Sequence, residues 1–226
     1  MQHTALFEDR VDAGQQLARQ LHHLGGAGGL LVLALPRGGV PVAFPIAQAL
    51  HAELDLMLVR KLGLPHHPEY AMGAIGSGGI RVLQPGVPGL MGVTMDEVEA
   101  VTRTEQDELE RRARRYRGAR PPPQLGGRSV LLIDDGIATG ASMLVALQMA
   151  RLQEPARLTV AAPVAAPATL QALRAQADEI VCLAAPAQFR AVSQFYRRFD
   201  QTGDDEVQDL LARAWHAAPG RPTPTT

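Results

Sequence analysis

Two adjacent carboxylates, Asp134 and Asp135, close the apolar run Val130–Ile133 and are followed by Gly136, Ile137, Ala138, Thr139, Gly140, Ala141 and Ser142. Carboxylates accept hydrogen bonds from vicinal sugar hydroxyls. The small residues behind them let the backbone approach a ligand closely. N–H groups at the start of a helix point outward unpaired, and the helix dipole favours an anion there. Thr139 and Ser142 add hydroxyl donors. A carboxylate repels a phosphate unless it faces another part of the same ligand. The stretch therefore reads as a site for a phosphorylated sugar, with the acids on the hydroxyls and the loop on the phosphate. No Gly-Lys-Ser/Thr closes the loop, so it is not a Walker loop. Paired aspartates at a strand end also occur in phosphoacceptor domains, but those place a lysine late in the chain, and none follows Lys61 here.

Three further groups could join this chemistry. Arg37, Gly38 and Gly39 form a turn in LALPRGGVPVA, where a guanidinium and freed backbone amides suit phosphate oxygens. Arg60 and Lys61 end the apolar segment 54–60 and are candidate cations for neutralising a leaving group. Glu69 is a candidate acid, base or orienting group, whereas His66 and His67 lie in a proline-flanked loop and read as solvent-exposed.

The elements that must position these residues follow from the apolar pattern. Val11, Gly14, Leu17, Ala18, Leu21 and Leu24 predict a helix over 11–24, and residues 30–35 a buried strand. A helix over 40–52 and a strand over 54–60 come next. Residues 62–93, rich in glycine and proline, read as a flexible excursion with short strands that could close as a lid. Thr94 and Glu97 have capping-box spacing ahead of a helix over 94–117. Asp107–Arg111, Glu108–Arg112 and Glu110–Arg114 are favourable i,i+4 pairs along it. Strands at 130–133, 157–162 and 179–183 alternate with helices. The alternation predicts an α/β fold, a parallel sheet with helices on both faces. The expected division is a core over 1–183, a hood with a C-terminal helix over 184–216, and a disordered tail over 217–226.

The 226-residue chain has a formal net charge of −1, so no global basic field draws in nucleic acid. The arginines at 111–117 have acidic partners one turn earlier and read as a solvated helix face. The single cysteine, Cys182, excludes a disulfide within the chain and reads as a small buried hydrophobe. Neither a signal peptide nor a membrane span is legible, so a cytoplasmic location is expected.

VLLIDDGIATGAS closely resembles the phosphoribosyl-diphosphate motif of the type I phosphoribosyltransferases. The resemblance implies that Asp134 and Asp135 bind the ribose hydroxyls and that Gly136 through Ser142 hold the 5-phosphate. It places Arg37, Gly38 and Gly39 at the diphosphate loop, often built on a non-proline cis peptide. Arg60 and Lys61 would then contact diphosphate, with Lys61 counted among the catalytic groups. FEDRVDAGQQLA, PEYAMGAIG and FRAVSQFYRRFDQTGDDEV extend the likeness to a bacterial group of phosphoribosyltransferases. Implied with it are Mg²⁺ held mainly by the substrate with Asp134 or Asp135 touching it, a nucleobase acceptor, and a homodimer. The base would lie under the hood, against Phe189, Phe195, Tyr196 or Phe199, although packing is the simpler role for each. The alternative within the fold is a regulator that binds the donor as a signal and contacts nucleic acid.

Overall fold

A computed structural model describes residues 5–26, 28–84 and 86–217, apart from the side chains of Glu69, Pro88 and Ala217. In chain order the elements are α1 (Arg10–Gln20), β1 (Leu31–Ala34), α2 (Gly39–Ala49), β2 (Glu53–Leu56), β3 (Val59–Leu64), β4 (His67–Gly76) and β5 (Arg81–Leu83). Then come α3 (Val87–Leu90), α4 (Met95–Arg117), β6 (Ser129–Ile133), α5 (Ala141–Arg151), β7 (Arg157–Val164), α6 (Pro167–Leu173), β8 (Glu179–Ala184) and α7 (Asp204–Ala217). Of the expected tail over 217–226, Ala217 ends α7 and the rest lies outside the described residues, as does the candidate side chain of Glu69.

The main sheet has the order β2-β1-β6-β7-β8, with every pairing parallel. Side chains alternate between its two faces. Val32, Ala34, Leu131 and Ile133 pack into a core with α1, α2, α4 and α7. Leu31, Leu33, Val130 and Leu132 pack into a second core with α5 and α6. Burial on both faces explains why these strands read as unbroken apolar runs.

The segment 54–60 is not one strand. β2 ends at Leu56, Met57 donates its N–H to Ala34 O at 2.9 Å, and the chain leaves for a separate antiparallel sheet, β3-β4-β5. Arg60 and Lys61 therefore lie inside β3. A continuous apolar run cannot mark that change, because its pattern suits both sheets equally.

The excursion is more built than expected, since β4 alone runs ten residues. Leu62, Leu64, Met72 and Ile75 pack with Val98 and Leu109 of α4. Ala74 on the other face packs with Met149 of α5. The capping box is formed: Glu97 N–H donates to Thr94 Oγ1 at 3.3 Å, and Thr94 N–H to Glu97 Oε2 at 2.8 Å. At the far end of α4, buried Arg117 donates from Nε to Asp55 Oδ1 at 2.6 Å and ties the helix to β2. Arg111 pairs with Glu108 at 2.7 Å rather than with Asp107, while Arg112–Glu108 and Arg114–Glu110 form as their spacing predicts.

Val207, Leu210 and Leu211 of α7 belong to the main core. In the hood segment between β8 and α7, Phe195 and Tyr196 pack with Phe7, Ala13 and Val164. Cys182 is half-buried, donates from Sγ to Ala184 O at 3.1 Å, and has its thiol pKa pushed up by burial. None of the helices among the described residues is long and apolar enough to cross a membrane.

Candidate active site

The sheet order puts β1 and β6 side by side while their chains run on in opposite directions, to β2 and to β7. The loops leaving such a pair diverge and open a crevice at the carboxyl ends of the strands, where open α/β sheets bind ligands. Arg37, Gly38 and Gly39 follow β1 into this crevice, and Asp134 through Gly140 follow β6.

The two loops touch. Leu35 N–H donates to Ile133 O at 2.8 Å, and a Cβ on Gly39 would lie 2.7 Å from that same oxygen. A Cβ on Gly38 would lie 2.0 Å from Asp135 Oδ2, so the carboxylate occupies the space a side chain there would need. The Pro36–Arg37 peptide is cis.

The loop behind the acids is pinned at one point and open at the next. Ile137 donates its N–H to Val164 O and accepts from Ala166 N–H, both at 2.9 Å, and its side chain is buried. Its amide is thus already occupied, so among the seven expected loop residues Ile137 anchors the loop to β7. Thr169 Oγ1 donates to Ala138 O at 2.6 Å and adds a second anchor. Among the described residues, the amides of Ala138, Thr139, Gly140 and Ser142 meet no acceptor. Thr139, Ala141 and Ser142 are exposed. Gly140, with φ 74°, is the N-cap of α5 and turns the chain into the helix in a conformation that favours glycine.

The acidic pair is half-buried. Burial, and then the charge of Asp135, holds the Asp134 carboxyl well above the usual carboxylate range. Asp135 is raised by burial as well, with Arg10 pulling against the shift. Arg10 Nε lies 2.8 Å from Asp135 Oδ2, its Nη1 donates to Asp200 O at 2.6 Å, and its guanidinium lies 3.8 Å from the ring centroid of Phe199. The Tyr196 hydroxyl donates to Asp135 O at 2.6 Å. A Cβ on Gly136 would meet Val192 Cγ1 at 2.4 Å, so the hood sits directly over the loop.

Other expected residues face elsewhere. Arg37 points away from the acids, with Nη1 3.6 Å from Asp204 Oδ1. Arg60 is turned onto α4, where it pairs with Glu105 and lies 3.9 Å from Glu108. Lys61 is exposed and lies opposite Ala74, on the other face of β3 from Arg60. His66 is exposed, with Nε2 3.7 Å from Glu97 Oε1, and His67 is exposed as well. Phe195 and Tyr196 are buried, and Phe189 and Phe199 pack against their cluster. All four aromatics thus pack in one cluster of the hood.

Arg10, Tyr196 and Val192 contact the acidic loop without any signal in the sequence. Arg10 and Asp135 are 125 residues apart, and no local spacing signals such a pair.

The crevice defines a class: an α/β protein that presents a phosphate-sized loop beside two carboxylates at the switch point of a parallel sheet. The Phosphoribosyl transferase domain family matches residues 4–199, and the chain belongs to that family. It is 49% identical over 211 residues to proteins of two Mycobacterium tuberculosis strains, named "Putative phosphoribosyl transferase MT0597" and "Putative phosphoribosyl transferase Rv0571c". The match takes in 92% of this chain and 47% of each relative, so the chain spans about half their length. The crystal structure of TT1426 from Thermus thermophilus is 42% identical, with a TM-score of 0.81 over 92% of this chain and 98% of that one. The α/β fold with its five-stranded parallel sheet is thus shared with that structure over nearly the whole chain.

Proposed function

We propose that the chain transfers the 5-phosphoribosyl group from phosphoribosyl diphosphate to a nitrogenous base and releases diphosphate. The observation that carries this reading is the meeting of three features in one crevice: the acidic pair, the Gly38 turn packed on it, and the unbonded amides at the start of α5.

In this reading Asp134 and Asp135 accept hydrogen bonds from the ribose hydroxyls. The amides of Ala138, Thr139, Gly140 and Ser142, with the two hydroxyls, hold the 5-phosphate. The Arg37–Gly39 turn receives the diphosphate through its backbone. Family chemistry passes through an oxocarbenium-like transition state, so positioning the reactants and stabilising the departing charge are the protein's main tasks. Arg60 serves that second task only after a rearrangement, because it is already paired with Glu105, and Lys61 is the second cation offered for it.

The acidic pair suits Mg²⁺. Two half-buried carboxylates stand side by side, Arg10 pairs with Asp135, and burial raises both. An ion held chiefly by substrate oxygens and water would need few protein carboxylates. When bound, Mg²⁺ would neutralise the diphosphate, with Asp134 or Asp135 touching it directly or through water. The hood over Gly136, at Val192 and Phe199, is the proposed cover for the base. A cytoplasmic role in nucleotide salvage fits such a reaction.

The test is a titration of phosphoribosyl diphosphate with Mg²⁺ by calorimetry, followed by a panel of bases read by diphosphate release. We expect binding, turnover with at least one base, and a loss of at least tenfold in Asp135→Asn. Absence of binding and of release with every base overturns the reading.

A further inference from the structure

We propose that the cleft between Arg37, the end of α4 and the start of α7 is a second anion site, which takes the phosphate groups of a small effector and is coupled through Arg37 to the donor crevice. Only the coupling rests on the transfer reaction proposed above.

The cleft has a volume of about 240 Å³ and is lined by Arg37, Arg111, Arg112, Arg115, Tyr116 and Asp204, next to Pro36. Four guanidiniums thus converge on one concavity, and all four are accessible, with side chains 37%, 57%, 44% and 45% exposed in chain order. Two carboxylates balance them. Glu108 pairs with Arg111 and Arg112 at 2.7 and 2.9 Å. Asp204 accepts from the Tyr116 hydroxyl at 2.6 Å and lies 3.2 Å from Arg115 and 3.6 Å from Arg37. Over the lining groups and Glu108 the charge left over is two positive, which matches a phosphate dianion. The Tyr116 hydroxyl, and then Arg115, hold the Asp204 carboxyl below the usual range, consistent with a site that favours negative charge.

Asp204 therefore stands where an incoming anion would bind. Exposed ion pairs of this kind are weak and exchange at little cost. Phosphate offers guanidinium forks a bidentate partner and more charge than one carboxylate. Arg37 links the two sites, because its side chain lies in the cleft and its backbone stands in the turn that packs on Asp135. An anion that draws Arg37 from Asp204 moves the turn expected to receive diphosphate.

The experiment titrates inorganic phosphate, inorganic diphosphate and ADP separately, without Mg²⁺, into the wild type, the double variant Arg111→Gln/Arg115→Gln, and Asp204→Asn. We expect saturable binding of at least one probe, weakened tenfold or more in the double variant and tightened severalfold in Asp204→Asn, which removes the resident carboxylate. The best probe tells a free phosphate from the phosphate tail of a nucleotide. The proposal is overturned if no probe binds more tightly than about millimolar, if the double variant binds as the wild type does, or if Asp204→Asn fails to tighten binding. Should the double variant not fold, Asp204→Asn decides alone by the same criterion. If a probe binds here while phosphoribosyl diphosphate does not bind at all, the transfer reading falls and the anion site stands.

Discussion

Arg10 Nε lies 2.8 Å from Asp135 Oδ2, and this pair joins the first helix to the loop that follows β6. The same guanidinium holds Asp200 O and stacks on Phe199, so one side chain ties the acidic pair to the hood. Both partners are largely buried, with side chains 12% and 14% exposed.

Removing one member of such a pair leaves the other charge poorly compensated. Arg10→Ala is expected to cost about 2 kcal/mol of stability, the discounted figure for a pair that keeps some solvent. Arg10→Lys should recover part of the charge effect but not the stacking on Phe199. Thermal or urea unfolding checks both, and an unchanged midpoint in Arg10→Ala would show that the pair contributes nothing.

Gly38→Ala places a methyl group where Asp135 Oδ2 now sits, 2.0 Å from the ideal Cβ position. The carboxylate must move, since the turn is held by Gly39 N–H on Leu35 O. Donor affinity is expected to fall tenfold or more while the circular dichroism spectrum stays as in the wild type. Wild-type affinity in this variant would separate Asp135 from the donor site.

Tyr196→Phe removes only the hydroxyl that donates to Asp135 O at 2.6 Å. The expected loss is about 1 kcal/mol, typical of one hydrogen bond whose acceptor keeps some access to water. The hood's aromatic packing is retained, so a much larger loss would point to a wider role for the hydroxyl.

Asp178 supplies the pH prediction. Its carboxyl accepts from Arg151 Nη2 and from Leu158 N–H, both at 2.7 Å, and the arginine, then the amide, holds its pKa below the usual carboxylate range. A depressed folded-state pKa contributes stability above the unfolded value and loses it as pH falls through the folded one. Asp178→Asn should therefore lower the melting temperature at pH 7, and the gap should close in acid below the ordinary carboxylate range. The group is partly exposed, so the gap at neutral pH should amount to about 1 kcal/mol or less. A gap that is the same at both pH values would assign it to packing.

The loop after β6 was legible because everything it needs is contiguous. A buried strand, two acids, small residues and a helix start occupy one stretch, and each obeys a local rule of backbone geometry. The alternation of strands and helices was legible for the same reason, as was the Thr94–Glu97 cap. Spacing along the chain could not tell which partner a charged side chain chooses. Arg60 settles on Glu105, Arg37 on Asp204 and Arg10 on Asp135, in each case across tens of residues or more. Those choices arise only when packing brings the helices and the hood onto the sheet, because Coulomb attraction and hydrogen bonding depend on distance in space. The split of 54–60 between two sheets has the same origin: β3 pairs with β4 rather than extending β2, and strand pairing belongs to the assembled fold.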